Sequence, residues 1–370
     1  MRDLLATLET WRGEGVDAGR AVVVRTFGSA PRPEGAVLLV ADDGRLIGSV
    51  SGGCVEGAAA ERIAEARRTG LATVVRYGIS DEDAWDVGLA CGGTIDVLIE
   101  PSVPNAVVEA AASSIGPRGS SLAVVTPLPR DAPPATFGPH EPGSGTAPAS
   151  PLVVGAGGVL LEGSSDDPSM DAALVIEVAA ILEDGRSRTV DIGERSFFVE
   201  AFPVRPRLIV VGGVEAARSL VRYGRELGYE TVIVDGRAAF ATAERFPDVD
   251  RILVAWPDEA FETLDVGAND AVAILSHDPK FDEPAIVEAM RRECRYVGAV
   301  GSRKTQADRR ERLAEAGLTQ AQIGSLRGPI GLDLGGREPA ETALAIMSEI
   351  VAARRGGSGI PMRERAAGRS

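Results

Sequence analysis

From Arg207 onward, short apolar runs alternate with stretches of helical periodicity. The runs fall at 207–211, 231–235, 251–255, 271–275 and 296–300, and helical stretches separate several of them, most clearly 215–227, 283–293 and 305–316. Strands joined through helices pair in parallel, and a parallel sheet needs helices on both of its faces. This predicts an α/β class chain whose C-terminal domain, 204–354, is a Rossmann-like doubly wound parallel sheet. It closes with a helix at about 339–354 that carries Pro339 near its first turn. The domain boundary is expected in Pro203-Val204-Arg205-Pro206.

The first of these strands runs into Gly212-Gly213-Val214-Glu215-Ala216-Ala217, and Asp235 ends the second strand 23 positions after Gly212. Strand, glycine turn, helix, strand and acid is the layout of a dinucleotide site, in which Asp235 would accept a ribose hydroxyl. Val214 stands where a second glycine would let a pyrophosphate approach, unless Gly213 takes that role in a shorter loop. Glu215 places a negative charge at the helix start, which suits the helix dipole but repels phosphate. The turn therefore reads better as a Rossmann fold kept without its dinucleotide, with NAD(P) or another nucleotide as the alternative.

Other strand ends carry more chemistry. Ser276-His277-Asp278 follows the fourth apolar run, Gly301-Ser302-Arg303-Lys304 follows the fifth and opens a helix, and Asp333 lies in the glycine loop Gly331-Leu332-Asp333-Leu334-Gly335-Gly336. Ligands of such folds sit beyond the carboxyl ends of the strands. A hydroxyl, two cations and helix-start amides suit a phosphate. His277 has no second histidine or carboxylate at metal-ligand spacing, so no metal site built from protein ligands alone is expected.

Residues 1–203 read as a mixed α/β N-terminal domain: a strand at 21–26, a hairpin at 36–41 and 45–50 turning on Asp42-Asp43-Gly44, a helix ending near Thr69, and further strands and one helix beyond. The stretch 127–150, rich in Pro, Gly, Ser, Ala and Thr, reads as a flexible loop, and 355–370 as a disordered tail. Cys54 follows Gly52-Gly53 at a helix start, where a thiolate is favoured, and Cys91 precedes two glycines in a turn. Cys294 reads as structural. Without further information these cysteines leave open a small buried hydrophobe, a ligand contact and a thiol redox pair formed by Cys54 and Cys91.

The chain has 370 residues and a formal net charge of −15. That balance argues against nucleic acid or an anionic membrane surface as partner. No secretory signal or membrane-spanning run is read, and three cysteines make no disulfide framework, so a cytoplasmic location is expected. With two lysines against 37 arginines, arginine-rich stretches carry little meaning of their own.

Motif order resembles the XdhC/CoxI family of xanthine dehydrogenase accessory proteins. The residues that carry the resemblance are Gly28-Ser29-Ala30-Pro31-Arg32-Pro33, Ser51-Gly52-Gly53-Cys54-Val55-Glu56 and Cys91-Gly92-Gly93 in the first domain. In the second they are Asp235-Gly236-Arg237, Arg245-Phe246-Pro247, Ser276-His277-Asp278, Tyr296-Val297-Gly298, Gly301-Ser302-Arg303-Lys304 and Pro329-Ile330-Gly331-Leu332-Asp333-Leu334-Gly335. The family usually has a Gly-Ala-Gly-His-like turn where this chain has Gly212-Gly213-Val214-Glu215. The resemblance implies a chaperone rather than a catalyst (an oxidoreductase, if an enzyme at all) that binds molybdenum cofactor (molybdopterin) as cargo. It further implies sulfuration of that cofactor by a cysteine desulfurase partner and insertion into a xanthine dehydrogenase-like molybdoenzyme, and it is compatible with a homodimer. Cys54 and Cys91 would contact the molybdenum and sulfur end. Gly52, Gly53, Gly212, Asp235, His277, Asp278, Ser302, Arg303, Lys304 and Asp333 would contribute to holding the cofactor. The alternatives are an NAD(P)-dependent oxidoreductase and a thiol redox protein.

Overall fold

The computed structural model describes residues 1–78, 93–115, 119–129, 146–148 and 150–364. Most of the predicted loop at 127–150 and the last six residues of the predicted tail lie outside them. The chain forms two units, Met1–Val204 and Arg205–Ser370. Among the described residues no helix is long and apolar enough to cross a membrane.

The first unit contains two antiparallel sheets. The first is built from β1 (Ala18–Phe27), β2 (Val37–Ala41), β3 (Leu46–Gly48), β4 (Thr73–Tyr77) and β5 (Thr94–Glu100), in the order β3-β2-β1-β5-β4. Gly44, at φ +87°, turns the β2–β3 hairpin, which pairs Val40 with Leu46. Helix α1 (Leu5–Gly13) precedes this sheet in the chain, and α2 (Glu56–Thr69) lays Ala59, Ile63 and Ala66 against one of its faces. These residues recur at helical spacing, and Gly70, left-handed at φ +72°, ends the helix.

After α3 (Asn105–Ser113) come β6 (Leu122–Pro127), β7 (Leu152–Gly155), β8 (Val159–Glu162), α4 (Pro168–Asp184), β9 (Arg188–Ile192) and β10 (Arg195–Phe202). The second sheet runs β8-β7-β6-β10-β9 and packs Val125, Val154 and Phe197 against Leu174, Val178 and Ile181 of α4. Asp167 caps α4 by accepting from the amides of Ser169 and Met170. The two sheets meet at a fully buried cation. Arg20 of β1 is 0% exposed, pairs with Glu100 of β5 through Nε, and lies 2.8 Å from Glu200 of β10. On the same strand, the Val24 carbonyl accepts a 2.6 Å hydrogen bond from the Thr189 hydroxyl of β9.

The second unit is the predicted doubly wound sheet. Strands β11 (Arg207–Val211), β12 (Glu230–Val234), β13 (Arg251–Leu253), β14 (Ala271–Ile274) and β15 (Tyr296–Ala299) lie in the order β13-β12-β11-β14-β15, and every pairing is parallel. Alternate residues of each strand feed two cores. On one face Ile209, Val232 and Val272 pack under α6 (Pro257–Leu264), α7 (Pro279–Arg291), α8 (Arg303–Glu315) and α9 (Gln320–Ser325). On the other face Leu208, Val210 and Ile233 pack under α5 (Glu215–Glu226) and α10 (Pro339–Arg355).

Two element boundaries differ from the sequence reading. Helix α7 starts at Pro279, not near residue 283, because the Asp278 side chain caps it through the Lys280 amide and the helix runs on through Pro284. Among the described residues past Arg355, Met362–Glu364 forms a 3-10 turn.

Candidate functional site

Because all five strands of the second unit are parallel, their carboxyl ends share one edge. Gly212, Asp235, Ser276 and Gly301 follow β11, β12, β14 and β15 there. Topology thus collects segments that lie far apart in the chain.

At the centre of this edge the glycine turn is closed on itself. Gly212 adopts φ +109°, and a Cβ on it would come 2.8 Å from the Ser276 amide nitrogen. A Cβ on Gly213 would come 2.4 Å from the Phe240 carbonyl oxygen. The Gly213 N–H, which would face a pyrophosphate in an occupied dinucleotide site, donates instead to the Asp235 carboxylate at 2.8 Å. Asp235, 1% exposed, also accepts from the Arg237 amide at 2.9 Å and from the Arg237 guanidinium at 2.9 and 2.8 Å. Burial opposes its charge, yet the hydrogen bonds from Arg237 and Gly213 prevail and hold its carboxyl below the usual carboxylate range. Both carboxylate oxygens are thus engaged within the protein. The Arg237 guanidinium lies over the Phe240 ring at 3.9 Å, and Arg245 approaches the same ring at 5.1 Å. Glu215, at the start of α5, is exposed and pairs with Arg218 at 3.0 Å.

The flanking loops are open. His277 is exposed, with its backbone in the left-handed region at φ +63°. Such backbone concentrates at functional positions. Asp278 is exposed and occupied as the α7 cap. Ser302 caps α8 by accepting from the Thr305 amide at 3.1 Å. Arg303 and Lys304 follow it on the first turn of α8, exposed and without an ion pair among the described residues. Beyond α9, the Arg327 amide and carbonyl bond to Val297 and Ala299, and Ile330 donates to Ala299 at 3.1 Å, which lays this segment beside β15. Asp333 is exposed three residues further on. Gly331 is held by Glu349 of α10, whose carboxylate accepts from its amide at 2.8 Å and from the Tyr296 hydroxyl at 2.7 Å.

Beneath these loops lies a buried polar group that the sequence pattern does not announce. Asp282 of α7 and Gln306 and Arg309 of α8 are 0, 3 and 3% exposed. Asp282 accepts from the Ser276 hydroxyl and from Arg309 at 3.1 Å. Burial, the largest influence on it, pushes its carboxyl above the usual range. The signal in the sequence is faint: an Asp and an Arg placed among the core-facing positions of two helices.

Cys54 belongs to the first unit. It is exposed, two positions before α2, and its amide donates to the Ser51 hydroxyl at 3.0 Å. Glu56 organises the loop. Its carboxylate accepts from the hydroxyls of Ser49 and Ser51, each at 2.6 Å, and from the amides of Val50, Ser51 and Gly53 at 3.1, 2.9 and 2.8 Å. Burial works against that charge, but these donors pull the carboxyl down to about 2. Gly52 and Gly53 sit at φ +80° and +118°, with open space where a Cβ would project. Cys91 lies outside the described residues. Cys294, half-buried, has its thiol pushed up to about 12, chiefly by burial. Among the described residues no group of three or more His, Cys, Asp or Glu side chains is placed to hold a metal ion.

Comparison with known proteins agrees with this architecture. The model of the XdhC Rossmann domain matches residues 208–350, and that of the XdhC and CoxI family matches residues 11–78. A Bacillus subtilis (strain 168) protein described as a probable xanthine dehydrogenase subunit is 24% identical over 92% of this chain and 94% of its own length. The "Molybdenum cofactor insertion chaperone PaoD" of Escherichia coli (strain K12) is 24% identical over 92% of this chain and 86% of its own. A crystal structure from Bacillus halodurans, described as a xanthine dehydrogenase, shares the fold with a TM-score of 0.73 at 24% identity, covering 98% of this chain and 97% of that one. With matches in both units and relatives aligned along nearly its whole length, the chain belongs to the XdhC and CoxI family.

Proposed function

We propose that this protein binds molybdenum cofactor as cargo and supports its sulfuration and insertion into a xanthine dehydrogenase-like molybdoenzyme, with a cysteine desulfurase as the sulfur-supplying partner. The observation that carries the reading is the contrast along one sheet edge. The dinucleotide turn is filled by Asp235 and Arg237, while Arg303 and Lys304, beside the Ser302 cap, have no ion pair among the described residues. A negatively charged cofactor phosphate suits those two cations and the amides of the α8 start. His277 and Asp333 would present polar groups to the rest of the pterin. In the first unit, Cys54, exposed on an open glycine loop, is a separate candidate contact, a soft sulfur ligand of the kind molybdenum accepts. The Escherichia coli relative, named as an insertion chaperone, supports the same reading.

Equilibrium binding of purified molybdenum cofactor under anaerobic conditions tests it, run on wild type, Cys54→Ala and Arg303→Ala. Tight wild-type binding, weakened tenfold or more by either change, is expected. Absence of wild-type binding alongside measurable NAD(P) binding would overturn the reading in favour of an oxidoreductase.

A further inference from the structure

We infer that Ser276, Asp282, Arg309 and Gln306 form one largely buried spine that positions the His277, Ser302 and Asp333 segments of the second unit together, so that these four residues set cargo affinity without touching the cargo. The inference rests on the proposed cofactor site. Starting at β14, the Ser276 hydroxyl donates to one oxygen of Asp282 and accepts from the Asp278 amide at 3.4 Å, which ties the His277 loop to α7. The other Asp282 oxygen accepts from Nη2 of Arg309 at 3.1 Å. Nη1 of Arg309 donates to the Val300 carbonyl and to Oε1 of Gln306, both at 3.0 Å. Nε2 of Gln306 donates to the carbonyls of Ala299 and Val300 at 3.0 and 3.2 Å, gripping the chain just before Gly301 and Ser302.

Two contacts extend the spine. A Cβ on Gly328 would come 2.4 Å from Oε1 of Gln306, so the segment leading to Asp333 rests on that amide. The Gly212 turn abuts the backbone of Ser276 itself. Three segments of the chain are therefore registered against one set of largely buried polar atoms, and the Gly212 turn packs on the first of them. A buried, hydrogen-bonded network has few alternative arrangements, because any shift strands a polar atom away from water. That property suits a site that must hold a loop histidine and two helix-start cations at fixed spacing.

Ser276→Ala removes one link with the least disturbance of packing, and Ser276→Thr restores the hydroxyl. Two readouts are taken on the full chain. The first is the proton NMR signature of the His277 imidazole, which only has to be told apart from that of His140, the one other histidine. The second is anaerobic binding of molybdenum cofactor. The spine predicts that Ser276→Ala moves the His277 resonances and weakens binding fivefold or more while the protein remains folded, and that Ser276→Thr restores both. A Ser276→Ala protein with unchanged His277 resonances and unchanged affinity would overturn it. Moved resonances in Ser276→Ala that Ser276→Thr restores, with no binding by wild type, would uphold the positioning of the His277 loop and overturn the cargo assignment. If Ser276→Ala fails to fold, Gln306→Leu, which cuts the link to Ala299 and Val300, supplies the same comparison with the same two outcomes.

Discussion

Glu56 shows how one side chain can determine the form of a loop. Five donors converge on its carboxylate, and the loop they define carries Cys54. Glu56→Ala is expected to cost about 1–2 kcal/mol, in line with the loss of a strong helix-start acceptor, measurable by urea denaturation. The sign of the pH dependence follows from its depressed pKa. A carboxyl whose folded pKa of about 2 lies below the ordinary 4.5 stabilises the fold above pH 4.5, and that contribution is lost as pH falls from about 4.5 towards 2. Glu56→Gln should flatten the stability profile across that interval, and an unchanged slope would contradict the assignment. Gly212 makes the complementary point. With φ +109° and Ser276 backbone 2.8 Å from where a Cβ would project, Gly212→Ala should destabilise the second unit by about 3 kcal/mol in thermal or chemical melts.

Elements are legible in the sequence in proportion to how local their causes are. The five parallel strands follow from a repeating pattern of apolar runs and helices, and the hairpin at Asp42-Asp43-Gly44 follows from turn chemistry. The pattern places the start of α7 late, near residue 283, whereas the chain is already capped at Asp278 and the helix runs on through Pro284. The short helices α6 and α9, of 8 and 6 residues, span too few turns to display a period. The site divides along the same line. Ser302, Arg303 and Lys304 can be read as a helix-start anion site from their own neighbourhood. The inward turn of Asp235 cannot, since it depends on Arg237 and Gly213 meeting it in space. The Arg20 cluster joining β1, β5 and β10 is equally hidden, because its partners lie 80 and 180 residues away. Arg20→Met would leave Glu100 and Glu200 buried without a cation. It should cost about 3–5 kcal/mol, whereas a triple replacement by apolar residues of similar volume should recover most of that loss. Chemical denaturation of the single and triple variants checks both halves of this expectation.

On the scale of the whole molecule, the division at Val204 and Arg205 predicts that each unit has its own cooperative core. Calorimetry of the full chain should resolve two transitions, and Gly212→Ala should shift only one of them. A single transition, shifted as a whole, would show that the units do not melt independently. The self-closed glycine turn has a consequence for selectivity. A free dinucleotide meeting this edge would find the Gly213 amide already engaged by a carboxylate, which is clasped by an arginine that lies against an aromatic ring. Asp235 would act there as a tethered competitor, present at one equivalent per chain. A nucleotide seated on the Gly213 amide would have to displace that contact. The fold thereby retains the frame of a dinucleotide site while one amide of its glycine turn is engaged from within the protein.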